Sequence, residues 1–137
     1  MAHIQPFKAV RPDPQFASLV ASRPYDVMSR SEAKAEAQGN PNSFLHITRS
    51  EIDLPDTASP YDEQVYQTAK SNLKASISRN VLFKEAKPCY YLYRLTMEGR
   101  CQSGLVCVSS VEDYNNEIIK KHEFTRPEKE NDRIQHI

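Results

Sequence analysis

A chain of 137 residues, 39% hydrophobic and 26% charged, has the size and balance of one globular domain with a real core. Its 18 basic residues offset 18 acidic ones, which argues against a nucleic-acid-wrapping or membrane-coating surface and leaves room only for a local basic stripe. With three glycines in all, Gly39, Gly99 and Gly104, neither a Walker loop nor a dinucleotide fingerprint is present, so any phosphate must be held by helix ends and cationic side chains.

The opening MAHIQPFKAVRP carries no apolar run fit for a signal peptide, and no stretch approaches the ~20 apolar residues of a membrane span. A cytoplasmic protein is expected. Cys89, Cys101 and Cys107 form an odd set without a C-x-x-C pair, which predicts reduced, mostly buried thiols and no zinc site.

Residues 5–12 alternate between flanking prolines and predict a short strand. Asp13 as cap and Pro14 at the first helical position precede Phe16, Leu19 and Val20 at helical spacing, giving a turn or two of helix. Pro24-Tyr25-Asp26-Val27 breaks that pattern. Ser29 and Glu32 then have capping-box spacing before EAKAEAQ, and Gly39-Asn40-Pro41 supplies a stop, so a helix is expected over 30–38.

Residues 43–48, SFLHIT, are short, apolar and β-branched, and read as a core strand carrying His46. A turn-rich connection follows over 49–59. Ser59 and Pro60 open a long amphipathic helix to about residue 78, with Tyr61, Val65, Ala69, Leu73 and Ile77 on its inner face and Asp62, Glu63, Lys70 and Lys74 outside. Val81-Leu82-Phe83 predicts a short strand.

Between CYYLYRLTM and RCQSGLVCVSSV, a two-residue Glu98-Gly99 loop predicts a hairpin in which Thr96 faces Cys101 and Tyr90 faces Cys107. Apolar groups on both faces suggest a ribbon covered from both sides. A helical turn capped by Ser109 or Ser110 follows over 111–119. Together these elements predict an α+β fold: a mixed, mainly antiparallel sheet with a central hairpin at about 88–109, covered by helices, and a polar last helix.

The last eighteen positions, KKHEFTRPEKENDRIQHI, hold nine charged residues and two histidines. Thr125 and Glu128 again have capping-box spacing, and the helix they would start carries Arg126, Lys129 and Arg133 as one basic stripe. Its apolar residues, Ile134 and Ile137, come only at the end. As a solvated surface helix it would be tied by Arg126–Glu130 and Glu130–Arg133 pairs worth ~0.2–0.5 kcal/mol each. As a site, Lys120, Lys121, Thr125, Arg126, Lys129 and Arg133 would gather phosphate at a helix N-terminus, with His122 or Glu123 as general acid or base.

The segments PFKAVRP, Pro24-Tyr25-Asp26-Val27, Gly39-Asn40-Pro41 with Ser43-Phe44-Leu45-His46, Tyr91-Leu92-Tyr93-Arg94 and KKHEFTRPEKENDR occur in this order. In them the chain resembles an uncharacterised bacterial and archaeal family, the domain of unknown function numbered one thousand and fifteen. The resemblance adds Tyr25, Asp26, Asn40 and His46 as candidate site residues. It implies a longer protein of which this single domain, 1–137, is the N-terminal fragment, because family members carry a downstream Asp-Gly-His-His-Arg type motif. That motif is similar to one of ParB-related and sulfiredoxin-like folds, some of which are nucleotide-dependent phosphotransferases acting on small molecules.

Two functions from different classes fit these residues. One is a phosphotransferase acting on a small molecule, using a nucleotide and a divalent metal ion whose ligands lie beyond Ile137; no metal ligands are assigned within the chain. The other is a non-catalytic module binding a partner protein or nucleic acid, the second disfavoured by the balanced charge.

Overall fold

The computed structural model describes residues 1–120. The chain divides into two compact units, one formed by Val10–Phe83 and the other by Met1–Ala9 together with the chain from Lys84 onward. The architecture is α+β, and its strands pair antiparallel in the two ladders whose registers follow. Among the described residues, three separate two-stranded sheets take the place of the one mixed sheet expected from the sequence.

In the Val10–Phe83 unit, β2 (Val10–Pro12) pairs with β3 (Leu82–Lys84), which runs one residue past the unit. Strand β1 (Ile4–Gln5) belongs to the other unit, so the predicted strand over 5–12 is interrupted. Helix α1 (Ala17–Val20) follows an Asp13 turn in which Asp13 Oδ1 accepts from Gln15 N. Helix α2 (Arg30–Ala37) starts where the capping box predicts: Ser29 Oγ accepts from Glu32 N, while the Glu32 carboxylate accepts from Ser29 N at 2.7 Å. Such a cap contributes about 1 kcal/mol.

Residues 43–48 do not form a strand. They supply α3 (Leu45–Thr48), which leads into a 3₁₀ turn at Ser50–Asp53. Turn chemistry decides this: Asn40 Oδ1 accepts from Asn42 N, Asn40 O from Ser43 N, and Ser43 Oγ from Leu45 N. The burial pattern agrees. In a strand Leu45 and Ile47 would share a face; here Leu45 enters a cluster with Met28, Ala33, Ala37 and Ile52. Phe44 and Ile47, three residues apart, pack on Val20, Val81 and Leu82.

Helix α4 (Glu63–Ser78) buries Val65 and packs Leu73 on the second cluster, while Tyr61 is exposed. It begins later than Ser59 because a turn intervenes, with Ser59 N donating to Asp62 Oδ2 and Tyr61 N to Ser59 Oγ. Asp62, Glu63, Lys70 and Lys74 are exposed, as their positions on the outer face require.

The other unit contains β1 (Ile4–Gln5) paired antiparallel with β6 (Val108–Ser109), and the hairpin of β4 (Tyr91–Met97) and β5 (Arg100–Val106). Thr96 faces Cys101 as expected, and Glu98 and Gly99 both have positive φ, 50° and 77°, the conformation of a type I′ loop. Its faces are not covered among the described residues: Leu92, Tyr93, Leu95, Met97 and Leu105 are all exposed. The thiols follow their strands. Cys89 and Cys101 are exposed and Cys107 partly so, instead of buried. Phe7 and Tyr91 meet edge to face at 5.2 Å, and the Tyr91 hydroxyl donates to Phe7 O and accepts from Ala9 N.

Helix α5 (Val111–Asn115) is capped by Ser110 Oγ, which accepts from Asp113 N. Asp113 in turn accepts from the His3 backbone N–H at 2.6 Å and lies 3.0 Å from His3 Nδ1. The His3 N–H, helped by the His3 ring and opposed by burial, holds the Asp113 carboxyl below its ordinary 3.8. A carboxyl with a lowered folded-state value stabilises the fold above its unfolded value and ceases to as pH falls through the folded one. The tether of residue 3 to α5 is therefore expected to be intact at pH 6 and to open only below about pH 3.8. An acid titration followed on the His3 amide resonance checks this, and Asp113→Asn should remove the transition.

Candidate functional site

Three elements of the Val10–Phe83 unit meet around His46. Helix α3 brings the imidazole, the 3₁₀ turn brings Asp53, and α4 brings Asn72. His46 Nδ1 lies 2.8 Å from Asp53 Oδ1, and Nε2 lies 3.2 Å from the Asn40 carbonyl oxygen. Asn72 Nδ2 donates to the His46 carbonyl at 2.7 Å and to Asp53 Oδ2 at 2.9 Å. Both ring nitrogens thus face acceptors, and a neutral imidazole can donate to only one of them.

The pair is partly open to solvent, with His46 23% and Asp53 30% exposed in their side chains. It forms a wall of two concave spaces. One is a groove of about 580 Å³ bounded by Ser31, Lys34, Gln38, Gly39 and Ile52. The other is a cleft of about 390 Å³ bounded by Pro41, Ser43, Asn72, Ser76 and Arg79.

The local field is mixed. The groove borders the C-terminal turn of α2 and the cleft that of α4, the negative ends of the two helix dipoles, and the Asp53 carboxylate adds to that charge. Each space also has one cation. Lys34 is tied to Asp56 at 3.2 Å, whereas Arg79 has no carboxylate partner among the described residues.

Two half-buried arginines hold the turn that carries Asp53. The Arg30 guanidinium donates through its terminal nitrogens to the carbonyls of Glu51, Leu54, Pro55, Asp56 and Ala58. Its Nε is buried and has no partner among the described residues. Arg49 binds the Glu51 carboxylate at 2.5 Å and donates to the Tyr25 and Met28 carbonyls.

Of the residues singled out in the sequence, His46 and Asn40 come together, Asn40 through its backbone oxygen. The Asn40 side chain instead donates to Leu19 O. Tyr25 and Asp26 line neither the groove nor the cleft; Tyr25 serves through its carbonyl, and Asp26 is exposed. Lys120 is exposed. Lys121, His122, Glu123, Thr125, Arg126, Lys129 and Arg133 lie outside the described residues.

Asp53, Asn72, Arg79 and Lys34 were not legible as site residues. They stand 7, 26, 33 and 12 positions from His46, and none of them shares a helix or strand with it. Among the described residues, no group of three His, Cys, Asp or Glu side chains comes together to hold a metal ion. No helix there is long and apolar enough to cross a membrane.

A family model described as "Protein of unknown function (DUF1015)" matches residues 4–137. The chain belongs to this family. Membership covers essentially the whole sequence, so the segments around His46 and the charged last residues lie within one family unit. No curated protein and no solved structure matches the chain, and the distant likeness to ParB-related and sulfiredoxin-like proteins gains no support there.

Proposed function

We propose that this DUF1015 chain supplies a small-molecule site of a phosphate- or nucleotide-dependent phosphotransferase. The observation that carries this reading is the His46–Asp53 pair standing at two concave spaces, one of which is lined by Arg79, whose guanidinium has no carboxylate partner among the described residues. A partly exposed imidazole–carboxylate pair in a cleft is a common arrangement for binding polar ligands. Arg79 suits an anionic group, phosphate above all, and the acceptor-rich side around Asp53 suits a hydroxyl or amine. His122 and Glu123 as acid–base groups, and the basic residues from Lys120 to Arg133 as a phosphate-binding stripe, belong to the same proposal. So do a nucleotide with its divalent ion and a cytoplasmic setting, which unpaired thiols suit.

Isothermal titration of inorganic phosphate and of magnesium ATP into the protein tests this, alongside His46→Ala, Arg79→Ala and Arg126→Ala. Removing one charge-assisted contact should weaken binding about tenfold or more. Absence of binding by the unaltered protein, or equal binding by all three variants, would sink the proposal.

The exposed side chains of the hairpin favour a second reading, a non-catalytic module that binds a partner protein. Partner capture lost in Leu92→Ser, with no nucleotide turnover in the unaltered protein, would select it.

A further inference from the structure

We infer that Asn72 is the positioning residue of the His46–Asp53 pair, an inference that rests on reading this pair as the functional site. Asn72 sits in α4, 26 positions from His46 and 19 from Asp53, yet its single amide nitrogen reaches both, at 2.7 and 2.9 Å. A carboxamide NH₂ has two hydrogens to give. Here both acceptors fix its orientation, because the opposite rotamer would set the amide oxygen against a carbonyl and a carboxylate.

Each bond removes a different freedom. The His46 carbonyl belongs to a four-residue helix, too short to satisfy its own last carbonyls, and Asn72 supplies the missing donor. The backbone that carries the ring is thereby held. Asp53 could otherwise turn its 30% exposed carboxylate to water. With Oδ2 occupied by Asn72, Oδ1 is left facing His46 Nδ1 at 2.8 Å. One amide therefore sets both partners with its two hydrogens, and its oxygen, on a residue that lines the cleft, has no partner among the described residues.

The competing account is that Asn72 only helps α4 dock. That docking has its own apolar basis next door, where Leu73 packs against Val20, Val81 and Leu82. A neighbouring variant therefore separates the two accounts.

The test is the imidazole nitrogen and proton spectrum of His46 in the full chain, assigned with His46→Gln, without ligand. In Asn72→Ala and in the near-isosteric Asn72→Asp, the ring N–H resonance should be lost to exchange and the ring nitrogen shifts should move. Leu73→Ala should lower stability and leave those resonances in place. Retention of the original ring signals in both Asn72 variants, or an equal displacement in Leu73→Ala, would overturn the inference. If Asn72→Ala does not fold, Asn72→Ser is read in its place against the same criteria. Because no ligand enters the measurement, failure of the phosphate titrations would refute the proposed function and leave the positioning result standing.

Discussion

Arg49→Met is expected to cost the Val10–Phe83 unit about 3–5 kcal/mol, the range for breaking a buried ion pair from one side. The Glu51 side chain is 6% exposed and that of Arg49 is 17% exposed, so water cannot fully replace the lost partner at 2.5 Å. Methionine fills much of the volume but supplies no donor. The Glu51 carboxylate and the Tyr25 and Met28 carbonyls then lose their Arg49 bonds together. Urea unfolding should show a lower midpoint at an unchanged slope. Adding Glu51→Leu should recover part of the loss by removing the stranded charge, though not the part due to the two carbonyls. A loss below about 1 kcal/mol in the single variant would mean that the pair is solvated.

This ion pair also bears on the site. Glu51 and Asp53 lie in the same 3₁₀ turn, with Arg49 at its start and Arg30 gripping the carbonyls on its far side. The carboxylate that meets His46 is therefore presented by a segment fixed through backbone carbonyls, which any sequence can offer. That is why the turn read only as a polar connection. The turn is held by two guanidinium groups, Arg49 beside it and Arg30, 21 positions from Glu51, and neither carries a local signature.

Where a rule is local, the sequence was sufficient. Ser29 with Glu32 marked the start of α2, the Ser109-Ser110 pair marked the start of α5, where Ser110 is the cap, and the Glu98-Gly99 pair fixed the hairpin register down to Thr96 opposite Cys101. Burial was less accessible. Tyr93, Leu95 and Met97 are apolar enough to suggest a covered ribbon, but exposure depends on what packs there, and strand alternation does not encode that. The same limit applies to the site, which required α2, α3, the 3₁₀ turn and α4 to be placed in space before its members could be named.

The residues around His46 show how one change of period relocates a functional group. Read as a strand, residues 43–48 would have put His46 on the same face as Phe44 and Thr48. As a helix, Leu45 enters the core with 0% exposure, while the next residue along turns its ring toward Asp53 and the two concave spaces. Leu45 is thus the core anchor that aims its neighbour. Leu45→Ala should cost about 2–5 kcal/mol, because the lost transfer energy adds to a cavity among Met28, Ala33, Ala37 and Ile52. Leu45→Met, which conserves volume, should cost less than about 1.5 kcal/mol. Chemical denaturation gives the two stabilities, and the His46 ring resonances report whether the anchor matters to the site. In Leu45→Met they should stay near their original positions, whereas in Leu45→Ala they should shift or broaden even under conditions where the protein remains folded. Unchanged ring signals in a destabilised, folded Leu45→Ala would show that Asn40, Asp53 and Asn72 hold His46 without help from the core beneath it.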